Sequence, residues 1–102
     1  MEEQKKLTAE ETLAEMKKKL IMEAWETADR MNEQAGYTPW PVEKDFPRNQ
    51  VNSGVLIGLV RALNMMGCDV ETAVWDDGGY SVCEFVRVGE KKIYTRSTAK
   101  EA

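Results

Sequence analysis

The chain is 102 residues long, 42 % hydrophobic and 31 % charged, with a formal net charge of −4. That length predicts a single domain, and the balance of apolar and charged residues excludes general disorder. The acidic excess argues against bulk binding to nucleic acid or to an anionic membrane, and the absence of histidine removes the commonest general base, the usual catalytic triads and most zinc sites.

Residues 1–36 predict one long helix. No Gly or Pro interrupts Thr8 to Ala35, Thr8 and Glu11 form a capping box, and Gly36 supplies the stop. Such a helix is about 42 Å long, whereas a compact chain of this size has a radius of gyration of about 13 Å. It must overhang its own domain, and a second copy is the simplest cover. Leu13, Met16, Leu20, Ala24, Ala28, Met31 and Ala35 share one face, widened by Ile21 and Trp25 and interrupted by Lys17. The last four turns are therefore expected to pack on the domain, while Leu13, Met16 and Leu20 reach toward a partner. Glu15 with Lys19 and Glu26 with Arg30 are i,i+4 pairs on the solvated side.

Residues 37–51 are expected to be irregular, because Pro39, Pro41 and Pro47 fix their own φ and restrict the residues before them. The aromatics Tyr37, Trp40 and Phe46 suit a lid across the core, or alternatively a Pro-rich recognition strap with Trp40 as a contact residue. The space beneath them is the default pocket for a small ligand.

Residues 52–67 predict a second helix, capped by Asn52 or Ser53, or as early as Asn49, and ended by Gly67. Val55, Leu56, Leu59, Val60, Leu63 and Met66 cover most of its circumference, which predicts a central, buried helix. Gly54 and Gly58 cost helix stability, so they imply a close crossing by the first helix or a partner subunit. The alternative is that Gly54 merely belongs to a frayed first turn. The longest apolar run, Val55 to Val60, is far short of the roughly 20 residues that span a bilayer.

Residues 68–97 predict a three-stranded antiparallel meander, followed by a tail at 98–102. Asp77-Gly78 suits a type I′ turn and Gly89-Glu90 a type II′ turn. Pairing Trp75 with Tyr80 and Val88 with Lys91 groups Ala73, Trp75, Tyr80, Val82, Val86, Val88 and Ile93 on one face. The other face then carries Val70, Val74, Cys83, Phe85, Arg87, Lys92, Tyr94 and Arg96. The overall expectation is an α+β fold.

The sequence contains no nucleophile elbow, phosphate-cradling glycine loop or paired-cysteine metal motif. Asp76 and Asp77 serve the turn, and Asp69 and Glu71 have no ligand spacing. Glu84 facing Glu71 across the hairpin would raise one carboxyl pKa, but an edge position open to water is the simpler account of it. Cys68 and Cys83 are expected to be reduced thiols, because no signal-peptide core precedes them and the cytoplasm is the expected compartment. Phe85, Arg87, Lys92, Tyr94 and Arg96 have the composition of a single-strand platform, in which bases stack on aromatics between cations. The functional expectation is a non-catalytic interaction protein without metal or cofactor. It forms a homodimer through Leu13, Met16, Leu20, Gly54 and Gly58 and binds a second macromolecule as an accessory, regulatory or inhibitory factor. Viral accessory proteins are analogous in size. Single-stranded nucleic-acid binding is the alternative, and a small-ligand binder or enzyme the third reading.

Overall fold

The computed structural model of the chain describes residues 8–37 and 43–96. Two helices, α1 (Ala9–Gln34) and α2 (Phe46–Met65), precede a three-stranded antiparallel meander of β1 (Val70–Asp77), β2 (Tyr80–Val88) and β3 (Lys91–Thr95). The fold is α+β, as the sequence predicts. Helix α1 starts at the capping box: the Glu11 amide donates to Thr8 Oγ1 at 3.0 Å and the Thr8 amide donates to Glu11 Oε1 at 2.9 Å. It ends in a Schellman motif, with Gly36 at φ +90° and the Tyr37 amide reaching back to the Asn32 carbonyl at 2.8 Å.

The 26 residues of α1 span about 39 Å. Between Thr8 and Lys19 every residue is exposed except the half-buried Lys17, and the molecule measures 58 × 28 × 23 Å. The helix overhangs, and its contact with the body begins at Leu20.

Helix α2 begins at Phe46, well before the expected position 52. Asp45 is its N-cap, accepting from the Arg48 amide at 3.1 Å. Pro47 sits in the first turn, where its missing N–H has no intrahelical acceptor to disappoint. The proline that marks an irregular segment in sequence is here a helix starter. Nor is α2 buried all round. Asn49, Leu56 and Leu63 are buried, whereas Val51 is 65 % and Met65 86 % exposed, with Gly54, Val55 and Gly58 open beside them. A methyl group built on either glycine meets nothing within 4 Å, so α1 does not cross there. The sheet and α1 cover one side of α2 and leave the other bare.

The main core joins Ala24, Ala28 and Met31 of α1, Leu56 and Leu63 of α2, and Val70, Cys83, Val86 and Tyr94 of the sheet. Each fully buried leucine here contributes about 1.5 to 3 kcal/mol. The alanines of α1 let that helix lie close to its neighbours.

The sheet register differs from the expected one. Gly78 and Gly79, at φ +61° and +96°, form the two-residue loop, so Tyr80 pairs with Asp77 rather than with Trp75. Positive φ at both central residues is what a type I′ turn requires. The second turn pairs Val88 with Lys91 as predicted. Two irregularities then reorder the faces: Val74 pairs with Cys83 but Ala73 with Phe85, which leaves Glu84 extra, and Val86 pairs with Tyr94 but Arg87 with Lys92, which leaves Ile93 extra. Each inserted residue reverses the in–out alternation. Val70, Val74, Cys83, Val86 and Tyr94 consequently share the core face, while Ala73, Trp75, Tyr80, Val82, Phe85, Arg87 and Lys92 fall on the back. The bulge at Glu84 is braced by Thr72, whose Oγ1 donates to the Phe85 carbonyl at 2.8 Å.

Candidate interaction surfaces

Strand β3 ends at Thr95, opposite Phe85, and β2 continues past it toward Tyr80. Two asparagines of the helices occupy the place of the missing neighbour. Asn32 accepts from the Cys83 amide at 2.7 Å and donates to its carbonyl at 2.8 Å. Asn49 does the same for Ser81, at 2.7 and 2.8 Å. A carboxamide carries a donor and an acceptor side by side, as a peptide group does. Spaced as alternate strand residues, the two side chains complete a ladder. Asn32 also donates to the Tyr94 hydroxyl at 3.0 Å, and Asn49 to the Met31 carbonyl at 2.9 Å, tying the end of α1 to α2 and the sheet.

From Ala35 the chain crosses to the back of the sheet. Tyr37 packs with Ala35, Val82 and Tyr80 in a second cluster separate from the main core. Its ring stands edge-on to Trp75 at 5.9 Å and its hydroxyl donates to Asp77 at 2.9 Å. Phe46 meets Tyr80 in the same edge-on manner at 5.4 Å. Tyr37 and Phe46 thus meet aromatic rings of the back face rather than lying over the main core. Trp40 lies outside the described residues.

Of the five residues of the expected nucleic-acid platform, Phe85, Arg87 and Lys92 share the back face and Arg96 lies over Trp75 of that face, whereas Tyr94 is turned to the core. Tyr94 is 7 % exposed and faces the core against Trp25, its centroid 5.6 Å away. Burial and the nearby Asp29 carboxylate push its hydroxyl pKa well above the ordinary tyrosine value. Arg87 is engaged by Asp69 at 3.2 Å and Glu71 at 3.0 Å, which raise its pKa. Arg96 pairs with Glu84 at 2.9 Å and lies over the Tyr37 and Trp75 rings. Lys92 covers Phe85, its Nζ 4.7 Å from the ring centre.

The acidic residues are spent in the same way. Glu84 lies away from Glu71, and its pKa falls rather than rises because Arg96 and the Trp75 indole N–H both donate to it. Asp76 accepts from the Gly79 amide. Among the described residues no group of three or more His, Cys, Asp or Glu side chains is placed to hold a metal ion. Both cysteines are unpaired; burial pushes the Cys83 thiol up to about 11, which keeps it protonated at neutral pH.

Several apolar side chains are also open to water. On α1, Leu13 is 39 % and Met16 49 % exposed, in line with the half-buried Leu20. On α2, Val51, Gly54, Val55, Gly58 and Met65 form a second bare strip. Asn32 and Asn49, the residues on which the architecture turns, were not singled out by sequence for these roles. The signal for Asn32 was a polar side chain beside Met31 within the apolar stripe. No helix among the described residues is long and apolar enough to cross a membrane. The chain matches no family model, no curated protein and no solved structure.

Proposed function

We propose that this chain is a non-catalytic cytoplasmic interaction protein that self-associates and binds another macromolecule as an accessory, regulatory or inhibitory factor. One observation carries the reading: the overhanging half of α1 exposes Leu13 and Met16 to water on the line that buries Ala24, Ala28 and Met31 further along. A helix does not gain from continuing an apolar stripe beyond its domain unless the stripe is covered. The engagement of Arg87, Arg96 and Glu84 in intramolecular pairs supports a structural role for the charges rather than a catalytic one.

Light scattering after size exclusion, over micromolar to millimolar concentrations, tests self-association; an 11.6 kDa species throughout would overturn it. Leu13→Asp should weaken assembly while leaving the fold intact. Leu20→Asp should unfold the domain, because Leu20 packs against the main core.

A further inference from the structure

Along the exposed half of α1, the apolar positions Ala9, Leu13, Met16 and Leu20 are spaced four, three and four residues apart, the alternation of a coiled-coil seam. The charges of the same segment are sorted into blocks: Glu10, Glu11 and Glu15 come first, and Lys17, Lys18 and Lys19 follow. We propose that the stripe is covered by the same stripe of a second copy, running antiparallel about a two-fold axis that passes between Ala14 and Glu15. The proposal rests on the self-association read above and adds the partner's orientation and register.

In this register Leu13 lies opposite the partner's Met16, and Ala9 opposite the partner's Leu20. Every seam position meets an apolar side chain, and the contact is isologous as a two-fold requires. Glu10 and Lys17 occupy the same flanking position one heptad apart, so each Glu10 faces the partner's Lys17, giving the pair twice. Lys17, which interrupts the apolar face of a lone helix and is half-buried, becomes a flanking charge of the seam. Glu11 is already engaged by the Thr8 amide and is not needed. A parallel arrangement fails on charge, because it sets the acidic block beside the acidic block and lysines beside lysines. The shared segment, Ala9 to Leu20, is only about 18 Å of helix, so the interface is small and the dimer dissociates on dilution.

A charge exchange tests the register. Sedimentation equilibrium of the full chain should show a concentration-dependent dimer that weakens as salt rises. Glu10→Lys and Lys17→Glu, each alone, should weaken it about tenfold by setting like charges together, and the double variant should restore it. Circular dichroism of each variant confirms that the helix persists. A dimer indifferent to these changes, or one that the double variant fails to restore, would overturn the antiparallel register while leaving self-association standing. A monomer at every concentration would overturn both.

Discussion

The side-chain amide of Asn32 holds both backbone polar groups of Cys83, a residue 51 positions away, at 2.7 and 2.8 Å. Replacing it orphans a buried N–H and a buried C=O together, each worth about 1 to 3 kcal/mol. Asn32→Ala is therefore expected to cost about 2 to 6 kcal/mol in urea unfolding. Asn32→Asp should be no better, because it keeps the acceptor but loses the donor and buries a charge. A loss near zero for the alanine variant would contradict the ladder role.

Alkaline titration should reveal the buried thiol and phenol. Both Cys83 and Tyr94 ionise at a higher pH in the folded protein than in the unfolded chain, chiefly because burial opposes the charged form. Between the two values the unfolded chain has released protons that the folded one retains, so stability falls as pH rises. For Cys83 the window runs from 9.0 to about 11, and the loss approaches about 2 kcal/mol at its upper end. Melting temperature followed from pH 8 upward should drop, and Cys83→Ala should drop less steeply.

Acid should act through Glu84, whose carboxylate receives Arg96 and Trp75. Its pKa is depressed, so its contribution is present above the ordinary carboxylate range and is lost as pH falls through the lowered value. The side chain is 44 % exposed, so solvent screens the pair and the effect on stability is small. Trp75 fluorescence should nevertheless change over that range, and Glu84→Gln should abolish the change.

Gly58 lies in a helix interior with open space where a side chain would stand. Gly58→Ala should therefore stabilise the monomer by about 0.5 to 1 kcal/mol, measured by chemical unfolding at low protein concentration. A destabilised variant would show that another backbone approaches this strip in solution.

The elements that rest on local signals were legible in sequence. The capping box and Gly36 bound α1, and the glycine-rich turns delimit the strands, because each of these devices involves residues within a few positions of one another. The start of α2 carried its signal too, in Asp45 followed by Pro47, but the same proline reads as a breaker when the cap is sought further on. The bulges at Glu84 and Ile93 were not legible: Thr72 braces the first from the neighbouring strand, and no local pattern announces such a contact. Because both bulges reverse the alternation, the division of the sheet faces failed with them, and the grouping of Tyr94 with Phe85 and Arg87 failed in turn. On α2 the apolar residues encircle the helix, so periodicity could not tell which side the sheet would cover. The exposed stripe of α1 was visible from helix length alone.

The amide ladder on β2 has a consequence for how this protein behaves in a crowded solution. An unpaired run of peptide groups is a template on which strands from other molecules can add, and repeated addition leads to fibrils. Covalently attached side chains already occupy the groups of Ser81 and Cys83, and they cannot diffuse away. Losing either asparagine would thus do more than lower stability: it would uncover a docking track for foreign strands, and insoluble protein would accumulate even under conditions where most molecules remain folded.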